Sequence, residues 1–232
     1  VAIKQAFRFR ERLSENERIL TEAGYYDWGP APDRERAIAA YESLIERDST
    51  FRGALNNVGI LYQEKRDFAK SEDRYRRAVA VQFPFGGSFG GLVQTQLVQG
   101  KLSAADSTMA LYEKRLPSHS FIPNTRAAVM IAAGNVAGAD SMLRAAMPRV
   151  PRGSSRISTV GTLSNIAAMH GRVREAERWW ALSSASAIGE PAPKAQQLLV
   201  LLDSAWVQGW YFGDATAARA AVKRALASIP IE

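Results

Sequence analysis

ALNNVGILYQEKRDFAKSEDRYRRAVAVQF, residues 54–83, decides how this chain folds. Over Leu55–Glu64 the apolar positions are Leu55, Val58, Leu61 and Tyr62, the spacing of one helix face. Over Phe68–Gln82 they are Phe68, Tyr75, Ala78 and Val79, while Lys70, Asp73, Arg74 and Arg77 populate the other face. A short charged connection, Lys65 to Asp67, separates the two runs. The segment therefore predicts a helix–turn–helix unit. Neither helix can bury its apolar face alone, so such units must stack.

Outward from this segment the chain repeats itself at a step of 34 residues. Tyr41, Tyr75, Met109 and Leu143 form one column. Four residues earlier stand Ala37, Ser71, Ala105 and Ala139, all small, and three residues later Leu44, Ala78, Tyr112 and Ala146. Gly100 and Gly134 keep the step, as do Pro117 and Pro151. The period then stretches to 37 residues at Gly171 and 42 at Gly213, and Ala176, Ala218 and Pro230 follow with it. The extra residues fall near Arg152–Ser155 and Gly189–Lys194, which read as loops. Ser14-x-x-Glu17 predicts a capping box, and Asp33 an N-cap for Arg34–Arg47. The expected division is six helix pairs in one domain over 1–232, near 11–48, 51–83, 86–117, 120–151, 154–188 and 193–230. Residues 1–10 read as the end of a preceding helix.

The unit Ala54–Phe83 resembles a tetratricopeptide repeat (TPR), whose pattern is W-x2-L-G-x2-Y, then A-x3-F, then Pro. Leu55 stands at the tryptophan place, Val58-Gly59-x2-Tyr62 matches the core, Ser71 and Tyr75 stand at the A-x3-F pair, and Pro84 falls one residue late. Later units keep less: Leu92, Gly100, Ala105 and Pro117; then Gly134, Ala139 and Pro151; then Gly171 with Ala176 and Gly213 with Ala218. The resemblance implies an all-α, right-handed superhelical solenoid of about six helix pairs. It also implies a non-catalytic scaffold that holds a segment of another protein or peptide on the face lined by first helices, with no cofactor. A weaker resemblance, in residues 10–26 (RERLSENERILTEAGYY) and 34–48 (RERAIAAYESLIERD), is to TPR regions of bacterial signalling proteins carrying kinase or cyclase modules. It implies a docking or sensory region of a longer protein. A structural subunit of an assembly is a further reading.

On the first-helix face the resemblance places Asn56, Gln63, Gln94, Asn124 and Asn165, amides that both donate and accept. They suit an extended peptide backbone, or else are ordinary polar surface. A carboxylate clamp is not supported. Asn57 fits one place, but Glu22, Tyr26, Gly87 and Gly91 stand where the family has Lys, Asn, Lys and Arg. Phe85–Gly91 is glycine-rich, yet no strand precedes it and no Lys-Ser/Thr follows, so it reads as close helix packing or a soft joint rather than a phosphate loop.

The chain has 232 residues, 30 basic against 23 acidic, a net charge of +7. The excess lies late: residues 85–232 hold 15 basic and 9 acidic groups. Arg144, Arg149, Arg152, Arg156, Arg172, Arg174 and Arg178 form a patch that can meet an anionic partner. Nucleic acid is the lesser reading, because a recognised reading motif is missing. Trp180 is expected in the core and Trp179 at the surface. Tyr25, Tyr26 and Trp28, and Trp206, Trp210, Tyr211 and Phe212, read as packing or as partner anchors. With no cysteine, disulfides and thiolate chemistry are excluded. His119 and His170 suggest no catalytic arrangement, so an enzyme is not expected. No apolar run approaches the ~20 residues of a membrane helix. The start at Val1 suggests a piece of a longer protein, and neither compartment nor oligomeric state is indicated.

Overall fold

The computed structural model describes residues 2–189, 198, 202, 205, 208, 209 and 212–228. These form helices and turns, with no strand among the described residues. The chain divides into two compact units, Val1–Pro117 and Ser118–Glu232. No helix among the described residues is long and apolar enough to cross a membrane.

The first unit holds α1 (Ala2–Arg8), α2 (Glu15–Trp28), α3 (Arg34–Arg47), α4 (Arg52–Glu64), α5 (Phe68–Ala80), α6 (Gly86–Val98) and α7 (Leu102–Arg115). α2 packs on α3, α4 on α5 and α6 on α7, and α3–α4 and α5–α6 contacts join the pairs. The caps are those expected. Ser14 N and Oγ both donate to Glu17 Oε2, at 3.0 and 2.6 Å. Asp33 Oδ1 accepts from Arg36 N at 3.1 Å. The core runs through Ala23, Ala37, Tyr41, Leu44, Leu55, Val58, Leu61 and Ala78. The small-residue column is fully enclosed at Ala37, Ser71 and Ala105, and the large column beside it at Tyr41, Tyr75 and Met109. Phe89, 34 residues after Leu55, is buried and stacked on Tyr112 with centroids 4.9 Å apart.

The second unit holds α8 (Ile122–Ala132), α9 (Val136–Ala146), α10 (Ser154–Met169), α11 (Val173–Gly189) and α12 (Ala215–Ser228). α8 packs on α9, and α10 on α11 and α9. Ala139 and Leu143 continue the two columns, and Ala176 and Trp180 continue them again. Trp180 is in the core, as expected. Trp179 is half-buried rather than exposed, packed between two clusters, with the Arg144 guanidinium over its ring at 5.4 Å. Trp206, Trp210, Tyr211 and Pro230 lie outside the described residues.

The first helices α4, α6, α8 and α10 end in the same turn. Asp67 N donates to Tyr62 O, Lys101 N to Gln96 O, Asn135 N to Met130 O and Arg172 N to Ala167 O, all at 2.9 Å. This reach satisfies the last carbonyls and needs a left-handed residue just before it. Gly100, Gly134 and Gly171 supply it at φ 71°, 81° and 69°; Arg66 does so at φ 60°. The residue after the turn often caps the second helix: Asp67 accepts from Lys70 N and Asn135 from Gly138 N.

Candidate partner-binding site

Three of the five expected amides come together in the first unit. Asn56 and Gln63 on α4 and Gln94 on α6 line one slot of about 520 Å³ with Ile60, Glu64, Tyr75, Gly87 and Gly91. Its floor exists because α6 lacks side chains there. A Cβ on Gly91 would lie 2.4 Å from Tyr75 Cζ, and one on Gly59 only 3.0 Å from the same ring. Tyr75 of α5 is thus clasped between glycines of α4 and α6. The glycine-rich segment is helix from Gly86 onward, and Gly91 serves close packing. Around Gly87 there is room: the nearest atom to an added Cβ is Asn56 Oδ1, at 3.9 Å.

The hydrogen bonds dictate what the slot offers. Tyr75 OH donates to Gln63 Oε1 at 3.3 Å, leaving the Gln63 Nε2 group as donor. Ser88 Oγ donates to Asn56 Oδ1 at 2.8 Å, and Asn56 Nδ2 donates to Asn57 Oδ1 at 3.1 Å. The chain continues: Asn57 Nδ2 to Tyr41 OH at 3.0 Å, and Tyr41 OH to Asp27 Oδ2 at 3.2 Å. Asn57, at a clamp position in the resemblance, is therefore engaged within this chain. Burial pushes the Asp27 carboxyl up, against hydrogen bonds from Trp28 and Tyr41. Burial also raises the Tyr75 and Tyr41 phenols, so both remain neutral donors. Gln94 is exposed and its side chain makes no hydrogen bond among the described residues. Glu64, the acidic side chain that lines the slot, is paired with Arg34 at 3.0 Å.

In the second unit, Asn124 stands on α8 and Asn165 on α10, in different repeat columns. Asn165 is exposed. Asn124 is half-buried, its Oδ1 enclosed and without a hydrogen bond among the described residues. The arginine patch is partly neutralised. Arg144 pairs with Glu175 and, at 3.1 Å, with Asp140. Arg172 meets Asp140 and Glu175, each at 3.4 Å. Arg149 and Arg174 are exposed and make no ion pair among the described residues; Arg152 is exposed and Arg156 half-buried. Tyr25 and Tyr26 pack with Phe7 of α1, whose ring stacks on Tyr25 at 3.8 Å, whereas Trp28 is 64% exposed. His119 is half-buried, its pKa lowered by burial, and His170 is exposed beyond α10.

Two features were missed from sequence. In the sequence Gly87 reads as part of a glycine run and as a missing clamp residue, although Asn56 and Gln94 flank the space it opens. Phe51 and Phe85, 34 residues apart, are both helix N-caps, of α4 and α6. Their spacing equals the repeat step and was the available signal.

No protein-family model and no curated protein sequence matches the chain. Solved structures do. A tetratricopeptide repeat protein from Parabacteroides merdae aligns with TM-score 0.62 at 14% identity, over 80% of this chain and 72% of that one. A thermophilic TPR protein of Thermus thermophilus aligns at 0.57 and 15%, over 79% and 91%. PilW, a type IV pilus biogenesis factor, aligns at 0.62 and 15%, over 95% and 96%. At such identities the likeness speaks to fold alone. Together with the recurring helix pairs, it shows that this chain has the tetratricopeptide-repeat fold.

Proposed function

We propose that the chain is a non-catalytic interaction scaffold that holds an extended segment of a partner protein in the α4–α6 slot. TPR-fold neighbours fit that role. The observation that supports it most is the glycine-floored opening between Asn56, Gln63 and Gln94. Gln63 and Gln94 retain free amide donors, and a partner's backbone carbonyls are the matching acceptors. Ile60, 41% exposed, offers one apolar contact beside them. Because Glu64 is already paired, the slot selects by shape and hydrogen bonding rather than charge. Binding there should change little with salt, unlike binding to a basic patch.

The test is a displayed-peptide library panned on residues 1–232, with affinities of the selected peptides measured in solution. Gln63→Ala with Gln94→Ala should weaken binding about tenfold, the loss of two net hydrogen bonds. Gly87→Leu should fill the slot and abolish binding while the helical circular dichroism is kept. Peptides that bind both variants as well as the parent would refute the reading. The Arg149, Arg152, Arg156 and Arg174 patch ranks second, since Asp140 and Glu175 hold Arg144 and Arg172.

A further inference from the structure

At the edge of the first unit where α4 and α6 begin and α5 ends, two recesses share the residues Thr50 and Arg52. One, of about 440 Å³, is lined further by Leu20, Asp48, Phe51, Gly53 and Phe85. The other, of about 620 Å³, is lined by Val81, Gln82 and Phe83. The side chains here are unusually apolar for a surface. Phe83 is 68% exposed and Phe85 38%.

Basic groups outnumber acidic ones at this edge. The Arg52 guanidinium stacks over the Phe85 ring at 4.3 Å and donates to Phe83 O at 2.9 Å. Arg115 donates to the carbonyls of Val79, Val81 and Gln82 at 2.6–3.0 Å, and Arg77 to Ser49 O. All three arginines spend their donors on backbone carbonyls, and none makes an ion pair among the described residues. Val79 lies in the last turn of α5, so that helix end offsets part of the Arg115 charge, about half a unit. The Asp48 carboxylate lines the first recess and accepts from Thr50 N and Oγ1 at 2.9 and 2.7 Å, one negative charge against the three arginines. The edge therefore keeps net positive charge between two apolar recesses.

We propose that this edge is a second interaction surface, distinct from the slot, for an acidic peptide segment that sets a carboxylate against Arg52 between two large apolar side chains. A carboxylate meets the outward edge of the guanidinium, whose stacking on Phe85 holds it in place. One apolar side chain enters the recess beside Phe51 and Phe85, and the other that beside Phe83. An acidic partner is preferred because a basic one would meet three arginines that make no ion pair among the described residues.

The test uses acetyl-Phe-Asp-Phe-amide and its lysine counterpart, acetyl-Phe-Lys-Phe-amide, titrated into isotopically labelled 1–232 and followed by amide chemical shifts. The aspartyl peptide should move residues 48–53 and 81–86. Its affinity should fall about tenfold with Arg52→Gln and again in about 0.5 M salt. Phe83→Ser, at an exposed position, should weaken it without altering helix content. The lysyl peptide should leave this edge unmoved. Equal shifts from both peptides, shifts confined to Gln63 and Gln94, or no shift at all would overturn the proposal. So would a concentration-dependent dimer in sedimentation that Phe83→Ser abolishes, since a second copy would then be the occupant.

Discussion

Arg66 holds a backbone conformation that glycine holds in the equivalent turns of later repeats. A side chain at positive φ costs about 1 kcal/mol relative to glycine. Arg66→Gly should therefore raise stability by about 1 kcal/mol, seen as a higher Tm in thermal unfolding. A lower Tm would show that the arginine side chain outweighs the backbone. Glu72 is the opposite case, a charge that the fold pulls inside. Burial opposes its ionisation, but Lys101 at 2.6 Å, Gln99 at 3.0 Å and Arg76 at 2.6 Å outweigh that and hold its carboxyl below the ordinary 4.5. A lowered folded pKa means the unfolded chain binds more protons. The stabilisation is thus complete above the ordinary value and is lost as pH falls through the folded one. Lys101→Met should cost about 1–2 kcal/mol at neutral pH, and less in acid, where Glu72 no longer needs a partner. Urea unfolding at both pH values reads the difference; an equal loss at both would exclude the charge as its cause.

The turn and the columns are properties of helix pairs, and here the sequence was most legible. A small residue four before a large one recurs at Ala37 and Tyr41, Ser71 and Tyr75, and Ala105 and Met109, all buried. Enclosure of that kind is forced by spacing, because helix geometry puts both residues on one face. The glycines of α6 were less legible. Gly87 and Gly91 share a spacing and a composition, but only Gly91 faces the Tyr75 ring. The two should answer oppositely to one substitution. Gly91→Ala should destabilise by about 1–3 kcal/mol through overpacking against Tyr75. Gly87→Ala should stabilise by up to about 1 kcal/mol, because alanine favours helix and its Cβ meets open space. Chemical denaturation of both variants checks the signs; the same sign for both would mean that the clasp on Tyr75 does not govern α6.

At the scale of the molecule, the division after Pro117 falls between repeats, and every residue of the slot lies before it. Stability in such folds is close to a sum over repeats and their neighbours. The fragment 1–117 should keep a cooperative helical melt and bind slot peptides as the full chain does. A fragment that melts without cooperativity would show that the later repeats are needed. The recurrence of helix pairs, their caps and their buried columns was determined by the sequence alone, since local periodicity decides which faces must be covered. The amide row was only partly determined. Asn56, Gln63 and Gln94 share a slot, but Asn56 is largely consumed by Ser88 and Asn57, partners that neighbouring helices and side chains bring to it. The half-burial of Trp179 and the pairing of Arg144 with Glu175 and of Arg172 with Asp140 likewise arise where helices from different pairs meet. A repeat pattern specifies what each helix must bury. Only tertiary structure decides which polar group its neighbour presents, because that depends on packing across residues some thirty apart in the chain.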